Sequence, residues 1–424
     1  MNIPLLCWRS LVIFLMACAF LLVEPVQGYM YGGDISKAGT NIFAFVSILL
    51  FVFFAMEVSE YRKILVNRKN FLVVSFGVVF LLFVFISGAI KGAVSNDFFA
   101  LMRSLVLGYF VYCFCALIPY ERRRQTLYGV SFFVWIFVFI SIVAGSITGY
   151  GLYTYADHSS GYKFFYPSLN ELNFVFFASF LVLIFVSSSA FVRLFYVLAT
   201  MIVFLVLGNK SFVALFAVSL CCYCWLRASF IWRICIVLLL SFLVVLLFCT
   251  GSVGYLFWLL IDFLIYILSE FSSGSSKLAI KLSYLSPVSA LISERDALFL
   301  IARDIYVSSY GWYETVLGAG FTSYGYAYGA LRGGGGFSFS EIDLVDVFMS
   351  YGVVGVVLLL SVMLSVYRRG CELDDGLYML RRILVVLFVV AGSLTGHIYL
   401  MGFPIFFFSC YAGLCSSGSR GREM

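Results

Sequence analysis

The sequence predicts an all-α, polytopic integral membrane protein with about 12 transmembrane helices and one large extracytoplasmic loop. Residues are 63% hydrophobic and 11% charged, with a mean hydropathy of +1.07, a balance that excludes a soluble protein with a wetted surface. Apolar runs recur along the chain, and most are long enough to cross a hydrocarbon layer of roughly 30 Å. Backbone groups in lipid must be paired within the segment, so we expect helices.

We expect residues 1–424 to form a single membrane domain. The predicted spans run at about 5–23, 41–56, 71–90, 98–118, 127–147, 171–189, 194–207, 211–226, 234–250, 344–366, 383–400 and 403–416. The large loop, 251–343, lies between the ninth and tenth spans, and a second outer loop covers 148–170. The first apolar segment resembles either a signal peptide or a retained helix, and we expect retention. Residues 255–271 are apolar but contain Asp262, so we expect them to lie in the outer interface or to continue the ninth helix.

Basic residues are concentrated on alternate loops, as the positive-inside rule requires. One face carries Arg62, Lys63, Arg68, Lys69, Arg122, Arg123, Arg124, Arg193, Arg227, Arg233, Arg368, Arg369, Arg381, Arg382, Arg420 and Arg422. The other face has fewer basic residues over a longer stretch of chain. The distribution predicts that both termini are cytoplasmic. Because the net charge of +6 mostly records orientation, it does not indicate a nucleic-acid partner.

Most of the twelve cysteines lie in or beside apolar runs, where a thiol acts as a small packing residue. No pair of cysteines is spaced with histidines as a zinc site requires. The sequence therefore predicts neither a disulfide framework nor a metal site, and it indicates no cofactor.

Aromatic residues are frequent in both outer loops. Tyrosine combines a flat apolar face with a hydroxyl, which suits the mixed C–H and O–H faces of a sugar. The same residues are also typical of the aromatic belt at a membrane interface. The set consists of Tyr150, Tyr153, Tyr155, Tyr162, Tyr166, Tyr284, Tyr306, Tyr310, Trp312, Tyr313, Tyr324, Tyr326 and Tyr328.

Two arginines of the large loop lie in a predicted helix, Ser293 to Asp304, without an acidic residue three or four positions away. Guanidinium groups bind phosphate with two hydrogen bonds, so Arg295 and Arg303 suit a lipid pyrophosphate. A long-range salt bridge or a lipid headgroup is the alternative partner. Arg332, beside four glycines, either lies over a site or belongs to a solvated loop.

Three further polar residues lie in or near apolar spans. Arg103 is inside the fourth span, where an arginine is costly unless it faces a cavity or a partner, so we expect it to be functional. Lys210 lies at the outer end of two short spans, where snorkelling to the interface is an alternative. His397 is either a proton carrier or a hydrogen-bonded core residue.

Glu341, Asp343 and Asp346 lead from the large loop into the tenth span. A carboxylate in this position could accept the proton of an attacking sugar hydroxyl. The alternative is structural, because the dipole of a helix favours acids in its first turn.

Four segments resemble the Wzy-type O-antigen polymerase and O-antigen ligase superfamily. They are Tyr166-Pro-Ser-Leu-Asn170-Glu-Leu-Asn173, Gly208-Asn-Lys210-Ser211, Ser293-Glu-Arg295 followed by Gly318-Ala-Gly320, and Glu341-Ile-Asp343 running to Gly352-Val-Val-Gly355. The Gly396-His397 pair is also similar. Ligases of the superfamily place a histidine ahead of the last of these helices, where this chain has Glu341 and Asp343, so the resemblance favours a polymerase.

The resemblance implies a GT-C-like fold in a bacterial inner (plasma) membrane and glycosyl transfer between lipid carriers. Undecaprenyl-pyrophosphate-linked glycans would be the substrates, and the product would be an O-antigen, capsule or exopolysaccharide. In this interpretation Arg295 is catalytic with Glu341 or Asp343, and the substrate-binding residues are Arg303, Lys210, Arg103, Arg332, His397, Asn170 and Tyr324. Membrane lipids, a chain-length regulator and a flippase are the expected partners.

Three rival functions remain open at this point. O-antigen ligase-type transfer uses similar chemistry, whereas a transporter or flippase of lipid-linked glycans would place its polar residues near the bilayer midplane. A noncatalytic assembly component is the third. The gathering of polar residues in one outer loop favours the enzyme.

Overall fold

The computed structural model describes residues 8–30, 107–152, 163–166, 168–207, 215–216, 218–219, 222, 225, 295–331, 338–340, 342–368, 375–396, 398–399 and 402–416. Within these ranges the secondary structure is helical and no strand occurs. The helices are α1 (Trp8–Met30), α2 (Leu107–Ala116), α3 (Tyr120–Thr148), α4 (Leu169–Val186), α5 (Ala190–Leu207), α6 (Arg295–Ser309), α7 (Trp312–Leu317), α8 (Phe321–Leu331), α9 (Asp343–Arg368), α10 (Asp375–Thr395) and α11 (Gly402–Leu414).

Five helices of the described part are long and apolar enough to cross a membrane: α1, α3, α4, α9 and α10. Helices α5 and α11 are apolar but shorter. The chain is therefore an α-helical protein suited to a membrane. These helices overlap seven of the predicted spans, and α2 overlaps part of an eighth. The second, third and ninth predicted spans, most of the eighth and residues 255–271 lie outside the described residues.

The bundle is held together by aromatic packing around α4, most of whose side chains are buried. The indole of Trp135 on α3 is fully buried and donates a hydrogen bond of 2.9 Å to the Thr200 hydroxyl on α5. Helix α1 packs into the same core, where Phe20 stacks on Phe406 of α11 at 4.3 Å between centroids. In water, burying such a ring contributes about 2 to 3 kcal/mol to stability. In lipid, van der Waals packing between the helices stabilises the bundle instead.

Helices α2 and α11 run parallel in close contact because glycines face the interface. A Cβ added at Gly108 would lie 2.6 Å from Ile405, and one added at Gly413 would lie 2.6 Å from the carbonyl oxygen of Tyr112. Small residues let membrane helices approach so closely. Cys113, Cys115, Cys410 and Cys415 are buried in this core, which confirms the predicted packing role for these four.

Two arginines of the predicted cytoplasmic set, Arg123 and Arg381, are buried. The guanidinium of Arg123 donates to the carbonyls of Ala116, Ile118 and Ser416 at the ends of α2 and α11. Carbonyls at a helix C-terminus lack partners within the helix, and an arginine satisfies them. Arg123 therefore joins three elements as well as contributing positive charge to this end of the bundle.

Two predicted spans differ in detail from the observed helices. Helix α9 contains a break at Gly352, whose φ of 65° is not helical. Helix α10 begins at Asp375, before the predicted span, and ends at Thr395, because Gly396 adopts a left-handed φ of 68°. The prediction that the eleventh span continues to residue 400 is therefore wrong, since Ile398 and Tyr399 lie in a non-helical segment.

The described part of the large loop forms three helices, α6 to α8, which we call the cap (residues 295–331). Helix α6 confirms the predicted helix from Arg295 to Asp304 and continues to Ser309, whereas Ser293 and Glu294 lie outside the described residues. A small apolar core of Ala302, Ile305, Tyr324, Tyr328 and Met349 joins the cap to the start of α9. The cap thus rests on one end of a membrane helix.

Candidate functional site

The candidate site is built around two carboxylates in the first turn of α9. Asp346 is 1% exposed, and its Oδ1 accepts hydrogen bonds from the Tyr324 hydroxyl at 3.0 Å, the Ser340 N–H at 3.0 Å and the Ser340 hydroxyl at 2.7 Å. Three donors on one oxygen compensate much of the cost of burying a carboxylate. Asp346 therefore ties the cap and the segment before α9 to the bundle.

Asp343 makes a second connection, to the segment between α10 and α11. It is 1% exposed, and its Oδ2 accepts the backbone N–H groups of Ile398 and Tyr399. The Tyr399 ring lies against Gly392, where an added Cβ would come within 2.2 Å of the ring. Because both N–H groups bind one oxygen of its carboxylate, Asp343 holds this segment against the start of α9.

Two glycines allow the cap to cross the break in α9 at close range. The Ala319 N–H donates to the Met349 carbonyl and the Gly320 N–H to the Ser350 carbonyl, both at 3.0 Å. A Cβ on Gly318 would lie 2.2 Å from the Ser350 carbonyl oxygen, and one on Gly352 would lie 2.3 Å from the Val316 carbonyl oxygen. Both glycines also have positive φ. No other residue type fits this crossing without strain.

The cap tyrosines at this junction act as hydrogen-bond donors. Burial, together with the neighbouring Asp346 carboxylate, raises the pKa of Tyr324 above its usual range. Burial and the negative charge of Glu314 likewise raise the pKa of Tyr310, whose hydroxyl donates to the Met349 carbonyl at 2.6 Å. Both hydroxyls are therefore protonated at neutral pH.

Of the two arginines predicted to bind pyrophosphate, Arg295 and Arg303, the structure describes the side chain of Arg303 only. Arg295 opens helix α6, and its side chain lies outside the described residues. The guanidinium of Arg303 forms an exposed ion pair of 3.1 Å with Asp304. The expectation that the charge of Arg303 lacks a local partner is therefore wrong, because the adjacent residue supplies the carboxylate. An exposed pair of this kind is weak, so Arg303 can exchange Asp304 for another anion.

The structure divides the outer-loop aromatic residues into two groups. Tyr324 and Tyr328 are 0% exposed, so in this arrangement Tyr324 has no ring face available to a sugar. Its hydroxyl instead donates a hydrogen bond to Asp346. Trp312 is 80% exposed, and Tyr313, Tyr326 and Tyr150 also present ring surface. These exposed rings, rather than Tyr324, are suited to contact a ligand.

The remaining predicted site residues are described only in part. Asn170 lies half-buried in the first turn of α4. Phe174, one turn further on, packs on Phe388, which contacts Tyr399 at the site. Five predicted site residues lie outside the described residues, namely Glu341, Lys210, Arg103, Arg332 and His397.

The sequence did not predict that Asp346 and Ser340 connect the cap and the segment before α9 to the bundle. A signal was present, because Asp343 and Asp346 are three positions apart and therefore share a face of the first helical turn. The partners of the two acids are 22 and 55 or 56 residues away in sequence, and no local pattern indicates them. The pairing of Gly318 with Gly352 was also not predicted.

Among the residues that the structure describes, no group of three or more histidine, cysteine, aspartate or glutamate side chains is placed to hold a metal ion. Comparison with known proteins gives no assignment: no family model, curated protein or solved structure matches the chain. What the site can do must therefore be argued from its own residues.

Proposed function

We propose that the protein is a membrane glycosyltransferase that polymerises undecaprenyl-pyrophosphate-linked oligosaccharide repeat units into a surface polysaccharide at the periplasmic face. The growing glycan would leave its pyrophosphate carrier and join the terminal sugar of an incoming lipid-linked unit. In this step the acceptor oxygen bonds to the anomeric carbon while the carbon–oxygen bond to pyrophosphate breaks. The acceptor proton passes to a carboxylate, and undecaprenyl pyrophosphate is released.

One observation carries this proposal. Two segments that bear the family resemblance contact the same helix, far away in sequence: Gly318 to Gly320 crosses α9 beside Gly352, and Asp343 at the start of α9 binds the segment that follows His397. A site for two large substrates needs residues from several elements around a fixed framework. Convergence of these segments supports a common role for them.

The buried position of Asp343 changes its proposed role. Since its carboxylate is held by two backbone N–H groups, we assign it to positioning the segment beside His397. Glu341 remains the acid that would orient or deprotonate the acceptor hydroxyl. It is flanked by Ser340 and Ile342, and the Ser340 hydroxyl both donates to Asp346 and accepts the Ile342 N–H. The residues on either side of Glu341 are therefore hydrogen-bonded to each other and to Asp346.

The leaving group would be bound by cationic side chains of the cap. Arg295 lies in the first turn of α6, and Arg303 is exposed two turns further along the same helix. Guanidinium groups stabilise the charge that develops on a departing pyrophosphate without a metal ion. The exposed ring of Trp312 on the next helix provides apolar surface for a sugar.

A transporter of lipid-linked glycans is the second candidate, and the break in α9 favours it. Transporters often bind their substrates at interrupted membrane helices. In this chain, however, both backbone segments at Gly352 are occupied by contacts with the cap. The break is therefore explained by packing, and the enzyme is the better interpretation.

Reconstitution tests the proposal. Full-length protein in liposomes would receive a single purified lipid-linked repeat unit, and the products would be separated by length. We expect a ladder of polymers from the wild type and a loss of about a hundredfold or more in rate for Glu341→Gln, because a general base is removed. Glu121→Gln is the matched control, since it makes the same change at an exposed glutamate in the first turn of α3, outside the candidate site.

Two outcomes would contradict the polymerase, and a third would contradict the role of Glu341. A wild type that makes no polymer but moves the lipid-linked unit across the bilayer is a transporter. Transfer of a preformed glycan only to a lipid acceptor other than a repeat unit indicates a ligase. Equal activity of Glu341→Gln and Glu121→Gln, in well-folded preparations, removes Glu341 from the mechanism.

A further inference from the structure

An open groove of about 540 Å³ lies at the end of the bundle where α3 begins and α4 ends. Its lining includes Glu121, Arg124, Tyr128, Ser187, Ser188 and Ser189. Helix α4 starts near the Asp343 site and has 18 residues, so the groove lies roughly 25 Å from that site. The groove is therefore separate from the proposed catalytic region.

Two arginines hold positive charge at this groove. Arg124 lines it and donates to the Val186 carbonyl at 3.2 Å, and Arg193 donates twice to the Ser187 carbonyl, at 2.8 and 2.6 Å. Neither guanidinium is paired with a carboxylate in the described part of the chain, and each keeps N–H donors beyond those bonds. Glu121, also in the lining, opposes them with one negative charge. The local balance remains positive.

Ser187 offers a further indication of a ligand. The residue is 8% exposed, and its hydroxyl oxygen is buried without a hydrogen-bond partner among the described residues. Ser189 precedes α5, and its carbonyl accepts the first helical hydrogen bond, from the Arg193 N–H. The first N–H groups of α5 consequently have no partner within the helix, an arrangement that favours an anion.

An exposed apolar stripe begins at the same groove. The side chains of α5 that face outward recur every three or four residues, as expected for a helix face in contact with acyl chains. They are Phe191, Leu194, Phe195, Leu198, Met201 and Ile202. A ligand that combines a phosphate with hydrocarbon chains matches the groove and the stripe together, whereas a free anion matches only the groove.

We propose that this groove binds the phosphate of an anionic lipid headgroup. Arg124 and Arg193 neutralise the phosphate, Ser187 to Ser189 and the first turn of α5 donate hydrogen bonds, and the acyl chains lie along the apolar stripe. The inference is independent of glycosyl transfer. It assigns a structural or regulatory lipid to the end of the bundle opposite the cap.

Lipid retention by the full-length, detergent-solubilised protein tests the inference. Native mass spectrometry would count bound molecules in equal amounts of dioleoyl phosphatidylglycerol and dioleoyl phosphatidylcholine. Ser189→Asp keeps a good helix N-cap but adds a negative charge, so we expect phosphatidylglycerol binding to fall about tenfold without loss of thermal stability. Ser189→Asn is the neutral control, and Arg368→Gln tests an exposed arginine outside the groove lining.

Support requires that the wild type, Ser189→Asn and Arg368→Gln prefer phosphatidylglycerol, and that Ser189→Asp and Arg124→Gln lose the preference. Equal retention of both lipids by the wild type overturns the proposal, as does unchanged binding by Ser189→Asp. Competition with inorganic phosphate separates the two sources of the anion. Displacement of the lipid at equal concentration would show a free-phosphate site and also overturn the lipid assignment.

Discussion

The hydroxyl of Tyr324 donates a hydrogen bond of 3.0 Å to the carboxylate of Asp346, and neither side chain is accessible to solvent. This bond joins the cap, formed by the large loop, to the first turn of the membrane helix α9. A buried carboxylate that loses a donor keeps its desolvation cost. The position of the cap therefore depends on a few specific polar contacts as well as on apolar packing.

Tyr324→Phe tests this connection. Removal of one of the three hydrogen bonds to this buried carboxyl group should lower the free energy of unfolding by roughly 1 to 3 kcal/mol. We expect a lower melting temperature in detergent and faster proteolysis within the cap. Tyr313→Phe on α7 removes the same atom from a half-exposed ring and should change neither. Equal effects of the two variants would contradict a special role for Tyr324.

Asp343→Asn tests the link between α9 and the segment that follows α10. An amide accepts N–H groups less strongly than a carboxylate, and its NH₂ group cannot accept them at all. Hydrogen exchange at the Ile398 and Tyr399 amides should become faster, measured on the detergent-solubilised protein by mass spectrometry. Asp304→Asn, which alters an exposed acid of the cap, should leave these amides unchanged. Unaltered exchange in Asp343→Asn would show that other contacts hold the segment.

Gly352→Ala should be strongly destabilising. The residue has a φ of 65°, and the new Cβ would lie 2.3 Å from a backbone oxygen that cannot rotate away. We expect a loss of at least about 2 kcal/mol, read from thermal unfolding. Gly129→Ala is the control, because Gly129 is inside α3 with no atom within 4 Å of the added Cβ. That variant should gain about 0.5 to 1 kcal/mol, and a similar loss in both would contradict the proposed close crossing.

Arg303→Ala separates stability from binding. The Arg303 to Asp304 pair is exposed, so the melting temperature should change by less than the equivalent of about 0.5 kcal/mol. If Arg303 binds the lipid pyrophosphate as proposed, the rate of polymer formation at limiting donor should fall about tenfold or more. Asp304→Asn provides the comparison, since it frees the guanidinium. Unchanged polymerisation in both Arg303→Ala and Arg295→Ala would contradict the assignment of the leaving-group site.

Stability at alkaline pH should depend on Tyr310. Its pKa in the folded protein is raised by burial and by Glu314, whereas in the unfolded chain it is near the ordinary value of about 10. The contribution of Tyr310 to the free energy of unfolding is therefore complete below about pH 10. It is lost as the pH rises above that value, because Tyr310 loses its proton first in the unfolded chain. Tyr310→Phe should show a smaller decrease of melting temperature above pH 10. Identical slopes in the wild type and the variant would contradict the shift.

Helix positions were largely predictable from hydropathy, and their ends were less so. The apolar run predicts the body of α10, but its first two turns interleave apolar residues with Asp375, Arg381 and Arg382, and its end depends on the left-handed conformation of Gly396. The break in α9 was not predicted, because Gly352 followed by Gly355 is common in straight membrane helices. Only the carbonyl of Val316 opposite Gly352 shows why the helix is interrupted.

The candidate site was predictable as a set of residue types but not as an arrangement. Acids at the start of α9 and tyrosines in the loop were visible in the sequence. Which tyrosine is buried against Asp346 and which ring is exposed depends on how the cap rests on α9, and that contact joins residues 22 positions apart. Asp343 illustrates the same limit, since its amide partners lie beyond a complete membrane helix.

The amino-acid sequence by itself determined that this chain is α-helical and suited to a membrane, because hydrophobic length and backbone hydrogen bonding in lipid leave few alternatives. It also located the polar loops and the acids that begin α9. Tertiary structure alone decided that Asp343 and Asp346 are buried and accept hydrogen bonds from other segments. It also decided that the buried Tyr324 donates a hydrogen bond instead of contacting a sugar, and that Ser187 lies at a cationic groove. These properties depend on contacts between distant segments, whose geometry no local pattern of residues specifies.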